Sequence, residues 1–290
     1  MTGPKKSSTF GFGAHKPGKE GEDMHEETTS GASSPKSRAN LQGVRAGLGT
    51  LFSPSASIAA EKHSTSLTVE RGASGARIEG RLTSPIARVP EEVANCPGIS
   101  VKGRNIKSLA YTTDVAVIRN CNADAILAVY PFTGEPIITQ ALMTVAQQPI
   151  FVGVGGGTTT GSRVVELAMM AEMQGAAGVV LNAPASVEVV ESTMGVIDIP
   201  VVATVVADDE EVDDKILAGA AVINVAAGAR TAQVVAGIRA RHPEMPIIAS
   251  GGKTGESILA TIAAGADAVT WTPPSAQDLQ HAMMQRYRQE

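Results

Sequence analysis

Cysteine and long apolar runs are scarce in this sequence, and each scarcity excludes a class of protein. Among 290 residues only Cys96 and Cys121 are cysteines, and they form no CxxC pair, so neither a disulfide framework nor a zinc site is indicated. No uninterrupted apolar run of about 18 residues occurs, which argues against a transmembrane helix. The N-terminus lacks the apolar segment of a secretory signal. We therefore expect a cytoplasmic protein that does not enter a membrane.

Positive charge is sparse in the C-terminal two thirds of the chain, and aromatic residues make up only 3% of the whole. Residues 1–90 carry 12 Lys and Arg against 8 Asp and Glu, whereas residues 91–290 carry 12 against 21. A protein that binds nucleic acid through the phosphate backbone presents a basic surface. The acidic balance of residues 91–290 therefore argues against a nucleic-acid partner.

The first 95 residues differ in composition from the rest. Residues 1–40 are rich in Gly, Ser, Thr, Lys and Pro without a sustained apolar period, so burial cannot offset the entropy of ordering them. Residues 41–95 are intermediate, with a short helix favoured near 41–51. We predict a low-complexity, mostly disordered extension over 1–95 and a folded domain over 96–290.

Two short signatures alternate along the folded part. One is a Gly-Ala or Asn-Ala junction followed by an apolar strand, and its four copies are separated by 53, 44 and 46 residues. The other is a proline followed by β-branched residues, and its three copies are separated by 51 and 46 residues. The junctions begin at Asn122, Gly175, Gly219 and Gly265, and the prolines are Pro149, Pro200 and Pro246. Two interleaved signatures with one period indicate a repeat of two βα modules.

The repeat predicts eight strands, each followed by a helix. Strands that alternate with helices indicate parallel pairing through right-handed crossovers. Eight such units within about 190 residues define a compact (β/α)8, or TIM-type, barrel, in preference to an open doubly wound sheet, which gives no reason for a fourfold repeat. The predicted strands cover 107–112, 125–129, 149–154, 178–182, 200–206, 221–226, 246–250 and 268–272.

Carboxylates and amides are the candidate catalytic groups, because the loops after the predicted strands carry no histidine. This argues against a histidine metal centre or a Ser-His-Asp triad. A Schiff-base aldolase is a less favoured alternative, because the sixth strand offers Asn224 and Lys253 lies in a loop. Asp114 and Glu135 follow the first two strands and are candidates for acid–base work or magnesium binding. For Asp114, an N-cap of the next helix is the alternative. Asn182 and Asn224 end even-numbered strands and are candidates for orienting a substrate.

The stretch FVGVGGGTTTGSR, residues 151–163, follows the third predicted strand. It is not a Walker A loop, because Ser162 stands where that motif requires lysine. Three successive glycines exceed the need of a simple turn. We expect a loop at the barrel rim that contacts substrate, through Gly155, Gly156, Gly157, Thr158 and Arg163.

The stretch after the seventh strand, Ser250-Gly251-Gly252-Lys253, is the predicted phosphate site. Glycines let backbone N–H groups approach an anion, the next helix N-terminus adds a favourable dipole, and Lys253 supplies charge. Barrels often bind phosphate after strands 7 and 8, where Thr272 also lies. The alternative is a plain strand-to-helix turn capped by Thr254.

The segment 246–268, with its Gly-Gly pair and the run GADAV, resembles the phosphate-binding half of barrels such as the IMP dehydrogenase and GMP reductase family, thiazole synthase and the tryptophan-pathway barrels. These families usually follow the last strand with a Gly-Ser or Gly-Thr turn, where this chain has Thr272-Pro273-Pro274-Ser275. From TTDVAVIRNCNADAILAVYPF to WTPPS, the chain resembles an uncharacterised group of aldolase-type barrel proteins commonly labelled as hydrolases.

Together these observations predict a barrel enzyme that acts on a small anionic, phosphorylated metabolite by acid–base chemistry, as a hydrolase, isomerase or lyase. One alternative is an FMN-dependent oxidoreductase like IMP dehydrogenase, which the low aromatic content and the missing Gly-Ser turn disfavour. Another is a barrel that binds a metabolite without catalysis. The cofactor is not determined by the sequence, with Mg²⁺ as one candidate and FMN as a less favoured one. Homo-oligomer formation stays open.

Overall fold

The structure, a computed structural model, describes residues 68–72, 75–79, 84–130 and 133–288. These residues belong to one compact unit, Thr65–Glu290. The disorder predicted for residues 1–40 and the helix predicted near 41–51 lie outside the described residues.

Eight parallel strands form a closed barrel in chain order, and a helix follows each of them. The last strand pairs with the first, so the sheet has no free edge. The (β/α)8 prediction is confirmed. The strands are β1 (Ser108–Tyr111), β2 (Ala125–Ala128), β3 (Ile150–Gly155), β4 (Gly178–Leu181), β5 (Val201–Val205), β6 (Val222–Val225), β7 (Ile247–Ser250) and β8 (Ala268–Trp271).

The helices lie outside the strands. They are α1 (Val115–Arg119), α2 (Pro136–Val145), α3 (Ser162–Met173), α4 (Val187–Met194), α5 (Glu210–Leu217), α6 (Thr231–Arg241), α7 (Gly255–Ala263) and α8 (Ala276–Tyr287). In the described part of the chain, none of them combines the length and apolar character needed to span a bilayer.

The first and last residues of each predicted strand lie within one residue of those observed. The prolines at positions 149, 200 and 246 come directly before β3, β5 and β7. Proline lacks an N–H and favours extended backbone in the residue before it, so it suits the entry to a strand. The repeat thus located these strands, because its prolines stand where the strands begin.

Apolar side chains form two layers, one on each face of the sheet. The inner layer fills the barrel with large side chains such as Leu109, Leu127 and Phe151. The outer layer lies between strands and helices and includes Ile126, Ile150 and many valines. Strands buried on both faces read as continuous apolar runs, which is the pattern of this sequence.

Two antiparallel hairpins precede the barrel, and the sequence did not predict either. One consists of the strands Thr68–Gly72 and Gly75–Glu79. The other, Ile99–Val101 with Arg104–Ile106, turns through Lys102 and Gly103, whose φ angles are 49° and 75°. Val101 and Ile106 of this second hairpin belong to the inner apolar layer, so it closes the bottom of the barrel.

The segment before the second hairpin also packs against the barrel. Ala87 pairs with Cys121, and Val93 is 2% exposed in a cluster with Ile258 of α7. Val93 belongs to a short 3-10 helix, Glu91–Asn95, which contacts α7. The neighbouring Glu92 carboxylate occupies the space that a side chain on Gly255 would need, at the first turn of α7.

Two aspartates tie neighbouring strands together at the bottom of the barrel. Asp124, just before β2, accepts hydrogen bonds from the Lys107 and Ser108 N–H groups at 3.0 and 2.9 Å. Asp267, just before β8, accepts from the Ile247 N–H at 2.8 Å and from Arg239 Nη2 at 2.6 Å. Both occupy the same place in the sequence repeat, and each fixes the start of the preceding strand.

Candidate functional site

A cavity of about 850 Å³ opens at the carboxyl ends of the strands, where barrels of this kind place their active sites. Every strand except β3 contributes to its lining, through strand residues or the residues just beyond. The polar lining residues are Tyr111, Asn182, Thr204, Asn224, Ser250, Lys253, Thr254, Thr270 and Thr272. We call this space the central cavity.

A hydrogen-bonded pair forms the floor of the central cavity. Asn224 of β6 and Thr204 of β5 are register partners, and Asn224 Nδ2 donates to Thr204 Oγ1 at 3.1 Å. Asn224 is 6% exposed and Thr204 is 7% exposed. Their side chains point inward one step above the apolar layer that contains Val202 and Val222. The polar floor thus begins where the apolar filling ends.

The loop after β7 lines one wall through Ser250, Gly252 and Lys253. Lys253 is exposed, and it is the one charged side chain among the described residues that line the central cavity. Gly251 does not line the cavity, and its N–H donates to Thr270 O at 3.2 Å. Three of the four residues of the predicted phosphate site therefore face the cavity.

Helix α7 begins directly after Lys253 with a capping box. Thr254 Oγ1 accepts from the Ser257 N–H at 3.2 Å, and Ser257 Oγ accepts from the Thr254 N–H at 3.1 Å. Within the described residues, the N–H groups of Gly255 and Glu256 have no hydrogen-bond acceptor. The capping role of Thr254 is confirmed, and it is compatible with an anion at this helix terminus because capping satisfies only two donors.

The end of β8 contributes little to a phosphate cup. Thr272 lines the central cavity, but Pro273 and Pro274 have no N–H to donate. Ser275 is committed elsewhere, since its Oγ donates to Asp278 Oδ2 at 2.6 Å in the first turn of α8. An anion in this cavity would be held mainly from the β7 side.

The glycine loop after β3 lines a second, smaller recess of about 170 Å³, together with Tyr130, Gly134 and Thr159. Asn182 and Val129 line both this recess and the central cavity, so the two spaces meet there. Gly156 packs directly on the Asn182 backbone: a Cβ at Gly156 would lie 2.5 Å from Asn182 O, and its φ is 82°. The loop needs glycine at this position.

The structure separates the predicted members of the glycine loop. Gly155, Gly156, Gly157 and Thr158 line the recess, where Thr158 Oγ1 lies 3.3 Å from Thr133 Oγ1. Arg163 lies in the first turn of α3, is exposed, and lines neither the recess nor the central cavity.

Asp114 and Glu135, the predicted carboxylates, lie outside the lining of the central cavity. Asp114 is the N-cap of α1, and its Oδ1 accepts from the Ala116 and Val117 N–H groups at 2.8 and 3.2 Å. Glu135 is exposed at the N-terminus of α2, before Pro136. The structure therefore gives Asp114 the capping role that was its alternative.

The donor set of the central cavity does not fit a magnesium site. Magnesium is usually bound through one or two carboxylates, whereas the described lining residues offer hydroxyl and amide oxygens. Across the described residues, no cluster of three or more His, Cys, Asp and Glu side chains is placed to hold a metal ion. We therefore assign no chemical step to a metal.

The two cysteines are free, buried and away from the central cavity. Burial raises the pKa of the Cys96 thiol to about 11, against a smaller lowering by Lys107. Burial also raises the pKa of Cys121. A thiol that stays protonated at neutral pH is a poor nucleophile, so neither cysteine is a catalytic candidate.

The sequence reasoning about the site missed several lining residues, among them Pro90, Tyr111 and Thr270. For Thr270 a signal existed, because Ala268, Thr270 and Thr272 alternate and therefore point to the same face of β8. Tyr111 follows from Leu109 in the same way along β1. Pro90 belongs to the segment ahead of the barrel, and no sequence pattern places it at the mouth.

The fold and cavity together define a (β/α)8 barrel with a cavity at the carboxyl ends of its strands. No protein-family model and no curated protein matches the sequence. Many solved structures share the fold. A Burkholderia cenocepacia J2315 protein, to which phosphonomutase activity has been provisionally assigned, is 14% identical with a TM-score of 0.51, and the match covers 63% of this chain and 93% of that protein.

Two further solved structures are similar at the level of the barrel. A phosphoenolpyruvate phosphomutase from Streptomyces platensis subsp. rosaceus is 15% identical with a TM-score of 0.49, over 63% of this chain and 80% of that one. A phosphonopyruvate hydrolase in complex with oxalate and Mg²⁺ is 12% identical with a TM-score of 0.48, over 62% and 79%. At these identities the likeness is one of fold.

Proposed function

We propose that this protein is a barrel enzyme that binds a small phosphorylated metabolite in the central cavity and acts on it by acid–base chemistry. The observation that carries the proposal is the position of Lys253. It is the one charged side chain among the described lining residues, and it lies beside the N-terminus of α7. Charge, helix dipole and uncommitted N–H groups converge there on one anion.

The size of the cavity fits a small molecule. Its volume of about 850 Å³ lies in the ordinary range of small-molecule sites. The lining is mixed, with apolar Leu127, Val129 and Ile258 beside the hydroxyl and amide groups. A phosphate held at Lys253 leaves room for the rest of the metabolite to reach toward the floor.

Two titratable side chains, Lys253 and Tyr111, lie among the described residues of the lining. Because Lys253 holds the phosphate, we assign the proton transfer to Tyr111 rather than to Asp114 or Glu135. A tyrosine can act as a general acid or base when it is within reach of the reacting atom. Isomerisation, or cleavage of a C–C or C–N bond, fits such a group.

The phosphate anchor is tested by calorimetric titration of inorganic phosphate and glycerol 3-phosphate into the wild type, Lys253→Ala and Arg163→Ala. Arg163 is the matched control, because it is an exposed cation near the barrel mouth that does not line the cavity. Loss of a charge-assisted hydrogen bond of about 1.5–3 kcal/mol should weaken binding by roughly 10- to 150-fold in Lys253→Ala. Equal weakening in both variants would contradict the anchor.

A second candidate function is metabolite binding without catalysis. It is favoured by the absence of carboxylate and histidine side chains from the described lining of the central cavity. Incubation with a pool of phosphorylated metabolites, followed by mass spectrometry, separates the two functions. Consumption of a metabolite that is abolished in Tyr111→Phe or Lys253→Ala supports the enzyme. Specific retention without consumption supports the binding protein.

The flavin alternative is tested on the purified protein. A flavin-dependent oxidoreductase would retain the yellow chromophore of FMN or regain it on reconstitution. A preparation that stays colourless after incubation with FMN and removal of the unbound flavin would eliminate this alternative.

A further inference from the structure

Two polar atoms in the central cavity are buried and have no hydrogen-bond partner among the described residues. They are Asn224 Oδ1 on β6 and Thr270 Oγ1 on β8. Both residues line the central cavity, and Asn224 is more than nine-tenths buried. Buried polar atoms are almost always paired, so a molecule or water in the cavity is the expected partner of these two.

The Asn224 amide is held by its neighbour, which fixes what it presents. Because Nδ2 donates to Thr204 Oγ1, the oxygen end of the amide is left for the cavity. Exchange of the amide oxygen and nitrogen would reverse the polarity but would still leave one end unpaired. A hydroxyl group is complementary in either case, because it both donates and accepts. The Thr270 hydroxyl can likewise pair with a hydroxyl group of the ligand as donor or as acceptor.

The charge of the cavity lining also limits the ligand, because it restricts how many negative groups the ligand can carry. With Lys253 assigned to the phosphate, no second cationic side chain remains among the described lining residues. A carboxylate that reached the floor would face the Asn224 oxygen and find no countercharge, and desolvation of an unpaired charge is costly. The part of the ligand distant from the phosphate is therefore neutral and polar.

We propose that the ligand is a phosphorylated polyol, whose hydroxyl groups pair with Asn224 and Thr270 at the floor while its phosphate lies at Lys253. This inference rests on the proposed function and narrows it. It distinguishes polyol phosphates from phosphorylated carboxylic acids, which present a second negative charge, and from simple alkyl phosphates, which present no hydroxyl group.

The test is a calorimetric titration of the full-length protein with three probes that share a phosphate monoester: glycerol 3-phosphate, propyl phosphate and 3-phosphoglycerate. We expect glycerol 3-phosphate to bind about tenfold more tightly than propyl phosphate, the ratio that one net hydrogen bond supplies. The carboxylate probe should bind more weakly than glycerol 3-phosphate. Equal affinity for glycerol 3-phosphate and propyl phosphate overturns the inference.

Two variants locate the preference. Thr270→Val keeps the side-chain shape and removes the hydroxyl, and Asn224→Leu removes the amide. We expect the ratio between glycerol 3-phosphate and propyl phosphate to fall in each, while the affinity for propyl phosphate stays near that of the wild type. Because Thr270→Val is nearly isosteric, it keeps the test valid if Asn224→Leu fails to fold. A ratio unchanged in Thr270→Val and in a folded Asn224→Leu overturns the assignment to this floor.

The results separate this inference from the proposed function. If all three probes bind with the same affinity and lose it in Lys253→Ala, the phosphate site stands and the polyol assignment is overturned. If no probe binds the wild type, the proposed function and the inference both fail. Tight binding of 3-phosphoglycerate alone overturns the polyol assignment, because it requires a second cation.

Discussion

Gly156→Ala is the substitution for which the structure makes its sharpest stability prediction. The Cβ of alanine would lie 2.5 Å from Asn182 O and 2.8 Å from Asn182 N. Both atoms are backbone and cannot rotate away as a flexible side chain would. Residue 156 also has a φ of 82°, in the left-handed region that disfavours side chains.

The magnitude has two contributions. A non-glycine residue in left-handed backbone costs about 1–2 kcal/mol. Forcing an extra methyl group into a packed site costs about 1–3 kcal/mol more, since the loop or the Asn182 backbone must move. The free energy of unfolding should therefore fall by about 2–5 kcal/mol. For a domain of this size, each kcal/mol lowers Tm by about 2–4 °C.

Gly103→Ala is the matched control. Gly103 has a φ of 75°, close to that of Gly156, but a Cβ there would have no atom within 4 Å. It lies in the hairpin turn at the opposite end of the barrel. This variant should lose only the backbone contribution, about 1–2 kcal/mol.

The assay is urea unfolding followed by circular dichroism, with affinity for glycerol 3-phosphate as a second measurement. We expect Gly156→Ala to lose more stability than Gly103→Ala and to bind more weakly, because Asn182 lines both the recess and the central cavity. Gly103→Ala should bind like the wild type. Equal losses of stability in the two variants would refute the argument that Gly156 is fixed by its contact with Asn182.

Three further predictions concern charge and pH. Glu92→Gln should raise phosphate affinity about two- to fivefold in calorimetry, because it removes a negative charge from the start of α7; unchanged affinity would argue against an anion there. The raised pKa of Cys96 implies that the free energy of unfolding declines between pH 9.0 and about 11, because the exposed thiol of the unfolded chain ionises first. Urea unfolding at each pH should show a smaller decline in Cys96→Ala. A hydrogen bond from His242 holds the pKa of Asp213 below its usual value, so the stability it contributes is present above the pKa of the unfolded chain and is lost as pH falls through the pKa of the folded protein. His242→Ala should raise the Asp213 pKa in an NMR titration, and an unchanged pKa would contradict the pairing.

The barrel was predictable because the residues that repeat along the sequence start or end strands and helices through their own backbone. Pro149, Pro200 and Pro246 stand at strand entries, and the Gly-Ala junctions stand between a helix and the next strand. These residues act through their own backbone, so their effect does not depend on distant contacts. The hairpin at the barrel bottom was not predictable in this way. Its two apolar residues, Val101 and Ile106, form no recognisable pattern in the sequence, and their role depends on contacts with the barrel interior.

The site was predictable only where a residue follows directly from its place on a strand. Asn224 and Asn182 were placed at the mouth, because they end even-numbered strands. Asp114 shows the limit of this reasoning. A carboxylate after a strand either faces the cavity or turns back to cap the next helix, and that choice depends on where α1 begins.

The aspartates before β2 and β8 bear on the order in which the barrel assembles. Each joins strands that are neighbours in sequence, across 16 residues for Asp124 and Ser108 and 20 residues for Asp267 and Ile247. The pairing of β8 with β1 instead joins residues roughly 160 positions apart and bears a larger entropy of loop closure. We therefore expect these local contacts to form early and the pairing of β8 with β1 to form last.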